Sequence, residues 1–217
     1  MDLSGKRVLV VGAGGHARVI LDILEQRNAE IRGCLDDDPL KEGRPFAGTM
    51  VLGPTSRMQE MRKAEPGLSI IIAIGDNSVR RELFVNAREM GYEFVRAVHP
   101  SVVQAPSVKI GVGAMVCAGV VLNPGVEIGN NAIVNTASSV DHDSKVGAHA
   151  HICPGVHTGG HVAIAELAFV GLGSSVLPRI RIGTGCIVGA GSVVIRDVPD
   201  GATAYGVPGR IRCGVVT

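Results

Sequence analysis

The apolar positions of this chain follow two different rhythms. Through the first hundred or so residues, short apolar runs alternate with stretches of helical spacing. Arg7-Val8-Leu9-Val10-Val11 predicts a buried strand, and Gly12-Ala13-Gly14-Gly15-His16 a tight loop after it. Val19, Ile20, Ile23 and Leu24 then recur at helical spacing, which predicts a helix over 17–26. Residues 31–35 predict a second strand running into Asp36-Asp37-Asp38-Pro39. Residues 68–74 predict another, followed by Gly75-Asp76-Asn77, then a helix over 79–90 and a last strand over 94–98 before His99-Pro100. Strand and helix in alternation predict an α/β domain over 1–99, with a small, mainly parallel sheet and flanking helices.

From Ile110 the rule changes. Every sixth residue reads Ile110, Val116, Leu122, Ile128, Val134, Val140, Val146, Ile152, Thr158, Ile164, Val170, Val176, Ile182, Val188, Val194, and only Thr158 is not aliphatic. Glycine often follows, at 111, 129, 147, 159, 171, 183 and 189. A period of six fits neither a helix nor an alternating strand; it is the signature of a parallel β-helix. Each hexad supplies a short strand and a turn, three hexads close a triangular coil, and residues three hexads apart stack at about the 4.8 Å strand spacing. Fifteen hexads predict about five coils within a domain over 100–217. Stacking also predicts neighbours: His142 beside Gly160, and Asp143 beside His161.

Composition narrows the classes. Aromatic residues make up 3% of the 217, there is no Trp, and 30 are glycine, which suits repeated tight turns. A formal net charge of +1 argues against a nucleic-acid or membrane surface. The apolar run at Val8–Val11 is too short for a signal peptide or a membrane span. Cysteines at 34, 117, 153, 186 and 213 are odd in number and widely spaced, so reduced thiols in the cytoplasm are expected in place of a disulfide framework.

The most polar stretch of the repeat region is Asn135-Thr136-Ala137-Ser138-Ser139-Val140-Asp141-His142-Asp143. A histidine between two carboxylates gains a raised pKa and a fixed tautomer, which suits a general base for an amine or hydroxyl nucleophile. Gly160, with no side chain, lets an oxyanion approach its N–H closely. Spacing alone leaves His142 equally readable as a solvated turn residue.

Repeats of the form [LIV]-G-x-x-[STAV]-x resemble the hexapeptide-repeat superfamily. That resemblance implies a left-handed coil, against the usual right-handed crossover rule, and a homotrimer. Within the superfamily, Asn135-Thr136-x5-His142-Asp143, then Val146-Gly147-x3-His151-Ile152-x-Pro154-Gly155 and Gly159-Gly160, resemble the sialic-acid-type and 4-amino-sugar N-acetyltransferase branch. The resemblance implies acetyl-CoA as donor, a nucleotide-linked amino sugar as acceptor and no metal. It makes His142 the base, Asp143 its acidic neighbour and the Gly160 N–H the oxyanion donor. His151, Gly173, Ala190, Pro208 and Arg210 would contact the coenzyme. Gly206-Val207-Pro208-Gly209-Arg210 resembles the family's closing Gly-Val-Pro-Ala-Lys/Arg, with Gly209 in place of Ala. Arg210 and Arg212 read either as partners for the coenzyme's phosphates or as a solvated basic tail. The His-Asp pair resembles enzymes acting on GDP-linked perosamine, and UDP-linked 4-amino-sugar enzymes are almost as similar.

In the first domain, Gly12-x-Gly14-Gly15-His16 between strand and helix favours an anion at the helix N-terminus. Asp36 lies about 20 residues further on, as in dinucleotide-binding folds, although Ala17 stands where that fingerprint wants glycine. The family resemblance implies instead a nucleotide-sugar pocket. It is formed by Gly14, Gly15 and His16 at the phosphates, Asp36 and Asp37 at the nucleoside, and Gly75, Asp76 and Asn77 along the same sheet edge. Arg80 reads as a helix-surface charge in preference to a phosphate ligand. Two other classes stay open: a metal-dependent hydratase of the γ-carbonic-anhydrase type, invited by His149, His151, His157 and His161, and a non-catalytic nucleotide-binding trimer.

Overall fold

A computed structural model describes residues 2–212 of the chain; Cys213 lies outside the described residues. Two compact units meet in sequence between Pro100 and Ser101. The first carries β1 (Arg7–Val11), α1 (Gly15–Gln26), β2 (Glu30–Leu35), a hairpin of β3 (Pro45–Phe46) and β4 (Thr49–Met50), α2 (Met58–Ala64), β5 (Ser69–Ile72), α3 (Asn77–Glu89) and β6 (Glu93–Phe94). Its main sheet has the order β2-β1-β5-β6 and every pairing is parallel. Leu9, Val11, Leu35, Ile70, Ile72 and Phe84 pack into one core, so the near-continuous apolar runs of β1 and β5 reflect strands covered on both faces. The hairpin and α2 add to the predicted elements; neither carries a strong periodic signal.

In the second unit, two-residue strands recur every six residues from Val103–Gln104 to Val193–Val194. The pairings are parallel and in register three hexads apart, as in Met115↔Ile133, Val121↔Ser139 and Lys145↔Ala163. They build a parallel β-solenoid of about six turns. The aliphatic series points inward: Val116, Val134, Ile152, Val170 and Val188 are all fully buried. From Ile110 to Val188, the third residue after each inward position of the series turns the corner with a left-handed backbone. Glycine serves at 113, 119, 125, 155, 173, 185 and 191, and Asn131, Ala137, Asp143, His149, His161, Leu167 and Arg179 serve elsewhere with φ between 55° and 64°. Each non-glycine residue there carries strain, and its N–H is satisfied by the coil below, as from Asp143 to the Pro124 carbonyl and from His161 to the His142 carbonyl, both 2.9 Å.

The exception in the aliphatic series has a structural reason. Elsewhere the residue after the inward aliphatic donates its N–H to the carbonyl of the stacked aliphatic, as Asn123 does to Val140 at 3.0 Å. At Asp141 the acceptor is the buried Thr158 hydroxyl, at 3.2 Å. Ser139 still pairs with His157, but the ladder does not extend to Val140 and Thr158. The coil is therefore adjusted beside the polar stretch, where a threonine replaces an aliphatic.

Candidate functional site

Stacking brings His142, Asp143, Gly160 and His161 to one corner of the solenoid. The His142 Nδ1 lies 2.9 Å from Asp143 Oδ2, and Asp143 Oδ2 lies 3.8 Å from His161 Nε2. The two imidazoles meet edge to face, centroids 5.0 Å apart. All three side chains are about half exposed. Asp141 fixes the backbone of the base: its Oδ1 accepts the His142 N–H at 2.7 Å and the Asn123 amide at 2.6 Å. Those same two hydrogen bonds hold the Asp141 carboxyl below its ordinary range. The hydrogen bond to Asp143, with the charges of Asp141 and Asp143 added, raises His142 above the usual imidazole value. An Nδ1–H held by a carboxylate leaves the lone pair on Nε2.

That nitrogen faces Gly160. A Cβ placed on Gly160 would collide with His142 Nε2 and lie 2.6 Å from Cε1 and 2.9 Å from Cδ2, so only glycine lets the ring lie there. The Gly160 carbonyl accepts the Arg179 N–H at 2.9 Å. Its own N–H has no acceptor among the described residues, which leaves one donor next to the basic nitrogen.

The other residues singled out in the repeat region lie elsewhere within the chain. His151 is buried on a strand, edge-on to Phe169 with centroids 5.3 Å apart, its Nε2 3.4 Å from the Asn135 amide. Gly173 sits at a left-handed corner with open space where a Cβ would be. Ala190, Pro208 and Arg210 are exposed, Arg210 in an antiparallel strand that pairs with Thr203–Tyr205. The histidines that invite a hydratase do not converge. His149 meets the Asn131 amide and His157 the Ser139 hydroxyl, each at 2.8 Å, and only His161 joins the corner. Burial holds the thiols of Cys34 and Cys117 up at about 12 and Cys153 at about 11, so these cysteines stay protonated and none serves as a ready nucleophile.

The first unit holds a cavity of about 360 Å³ at the carboxyl ends of its strands, lined by Gly14, Gly15, His16, Asp36, Asp37 and Gly75 together with Thr55 and Leu83. Gly12, at φ 110°, turns the chain out of β1, and a Cβ there would press 2.9 Å from the Ala73 carbonyl oxygen. Partial burial opposes ionisation of Asp36. The Asp38 N–H, Lys41 and the Ala13 N–H outweigh it and keep the carboxyl below the ordinary range, at distances of 2.8–3.0 Å. Asp36 thus ties the loop after β1 to the turn after β2. Asp37 accepts from the N–H and hydroxyl of Thr55, at 2.7 and 3.1 Å.

Asn77 does not line the cavity. Its side-chain oxygen accepts from Arg80 at 2.7 Å, and Arg80 corrects the surface-charge reading. The residue is fully buried, with Nη1 3.0 Å from the carbonyls of both Ile74 and Gly75. Burial lowers its pKa to about 10, with Asp76 opposing. Arg80 braces the loop at the sheet edge. Thr55 and Arg80 carry no local signal in the sequence; Asn123 does, standing three hexads before Asp141.

The family described as the PglD N-terminal domain matches residues 7–87. A crystal structure of a perosamine N-acetyltransferase variant from Caulobacter crescentus, in complex with CoA and GDP-perosamine, superposes with a TM-score of 0.91 at 40% identity over 99% of this chain and 100% of that one. The chain belongs to the hexapeptide-repeat sugar N-acetyltransferases. The acetyltransferase domain of PglB from Neisseria gonorrhoeae, in complex with acetyl coenzyme A, resembles this family member at 33% identity and a TM-score of 0.88, covering 94% of this chain and 98% of that one. Among curated proteins, the UDP-N-acetylbacillosamine N-acetyltransferase of Bacillus subtilis is 37% identical over 118 residues, 52% of each chain, so the match spans about half of that relative. Membership makes the solenoid a left-handed β-helix. Among the described residues no helix is long and apolar enough to cross a membrane.

Proposed function

We propose that the protein transfers the acetyl group of acetyl-CoA to the amine of a nucleotide-linked 4-amino-dideoxy sugar, with His142 as general base. The observation that carries this is the pairing of His142 with Asp143 on one side of the ring and Gly160 on the other. The 40%-identical relative bound to CoA and GDP-perosamine makes GDP-perosamine the favoured acceptor, and the Bacillus subtilis relative makes a UDP-linked 4-amino sugar the next. The nucleotide occupies the cavity at Gly14, Gly15, His16, Asp36, Asp37 and Gly75, with Asn77 acting through Arg80. Acetyl-CoA lies along the β-helix near His151, Gly173, Ala190, Pro208 and Arg210. The working form is a homotrimer in the cytoplasm, a compartment that suits the free, buried thiols of Cys34, Cys117, Cys153 and Cys186.

The sugar amine attacks the thioester carbonyl carbon, forming the C–N bond. His142 Nε2 takes the amine proton while Asp143 holds Nδ1–H and stabilises the imidazolium. The Gly160 N–H donates to the oxygen as it gains charge. When the C–S bond breaks, the imidazolium returns its proton to the departing thiolate, giving the amide and CoA. No covalent acyl-enzyme is required. Release of CoA thiol, followed with Ellman's reagent across GDP-, UDP- and dTDP-linked amino sugars, tests the assignment. Turnover with a 4-amino sugar is the expected result, and silence with every acceptor refutes it.

A further inference from the structure

The mechanism uses His142 and Asp143 and leaves His161 without a task. Yet Asp143 and His161 occupy equivalent left-handed corners on successive coils, φ 56° and 57°, so their side chains leave the helix side by side. Asp143 Oδ2 is 2.9 Å from His142 Nδ1 and 3.8 Å from His161 Nε2. One ligand atom from each of the three residues falls within 4.8 Å of the others. A zinc-type ion with bonds of about 2.0–2.2 Å in a tetrahedron sets its ligands roughly 3.4 Å apart, between the 2.9 and 3.8 Å at which the two imidazoles stand from Asp143 Oδ2. Two imidazole nitrogens and a carboxylate suit a borderline divalent cation better than a hard one. Half-exposure leaves room for water at the fourth position.

We propose that His142, Asp143 and His161 form an inhibitory site for a zinc-type divalent cation, which silences the base by fixing its tautomer. The proposal rests on the base assignment above for its consequence, though not for the site itself. A cation on His142 Nδ1 replaces the proton there. The neutral ring keeps one proton, now on Nε2, so a proton leaves Nδ1 for water and another arrives at Nε2. The metal is neither oxidised nor reduced. The lone pair that faced Gly160 is gone, while the nucleotide cavity is untouched and the cation sits on the side of the ring away from Gly160. The cation therefore lowers kcat and leaves KM for both substrates unchanged. At saturation kcat falls by roughly 10²-fold, the lower end of what a positioned base supplies.

The test starts without turnover. Co2+ is titrated into metal-free wild-type protein, and the visible absorption of a tetrahedral nitrogen–oxygen site is followed, then displaced with Zn2+. His161→Asn is the matching variant, because asparagine tolerates the left-handed corner, and His161→Gly, a residue that serves at equivalent corners, stands in should the first not fold. Inhibition by Zn2+ is then measured against each protein's own metal-free rate. The readout is acetylated sugar, since CoA thiol itself binds zinc. One Co2+ per corner in the wild type, loss of the band in the variant, and kcat inhibition in the wild type alone are expected. Absence of the band in the wild type, equal binding and inhibition in the variant, or inhibition that competes with the amino sugar overturns the proposal. Should no acceptor turn over, the proposed transfer fails, and the Co2+ titration of wild type against His161→Asn still decides whether the site exists.

Discussion

Gly160→Ala separates the catalytic contact from the fold. Non-bonded carbons rest about 3.5–4.0 Å apart, while the new Cβ would lie 2.6 Å from His142 Cε1. The ring must therefore retreat by about 1 Å, a misplacement that costs on the order of 10²-fold in rate. The three nearest atoms to that Cβ all belong to the His142 ring, a half-exposed side chain that yields outward more readily than backbone. Gly160 is not at a left-handed φ, so alanine fits the backbone, and stability is expected to hold within about 1 kcal/mol. The assay is kcat by CoA release beside thermal denaturation by circular dichroism. A kcat close to wild type refutes the placement of the base against Gly160. A collapsed melting transition refutes the separation of site from scaffold.

Further outcomes follow from other contacts. With chelator present, kcat/KM is expected to fall as pH drops through the raised pKa of His142, because protonation removes the base; the midpoint lies above 6.5, the ordinary imidazole value. Asp143→Asn removes the first cause of that rise, so the acid limb of the pH profile moves to lower pH and the plateau drops; an unmoved limb counts against the pairing. Arg80→Met removes the buried hydrogen bonds to the Ile74 and Gly75 carbonyls, costing about 1–3 kcal/mol in chemical denaturation and weakening nucleotide binding measured by calorimetry. Asp76 caps α3 by accepting the Ser78 and Val79 N–H groups, both at 2.9 Å, and Asp76→Ala should cost about 1 kcal/mol.

The period of six made the solenoid readable because translation along its axis repeats every three hexads, so one register fixes every neighbour. His142 against Gly160 and Asp143 near His161 follow from that symmetry alone. The same arithmetic would have found Asn123 on Asp141. Contacts without a period stayed hidden. Thr55 reaches Asp37 through a loop the sequence does not mark, and a buried Arg80 looks, in one dimension, like any charge on a helix. The role of Thr158 needed its hydroxyl to be seen replacing a backbone acceptor. The last coil also departs from the rule, since Ile187 pairs with Thr203 and the aliphatic series stops at Val194.

The most direct measurement is the product formed from acetyl-CoA and a GDP-linked 4-amino sugar by wild type and by His142→Ala, read by mass spectrometry with a hydroxylamine challenge. The wild type should yield the nucleotide sugar heavier by one acetyl group in a hydroxylamine-stable amide. His142→Ala should bind the nucleotide sugar normally yet turn over about 10²–10⁴-fold more slowly. An ester product, or a variant as fast as wild type, would contradict acetylation of an amine with His142 as the base.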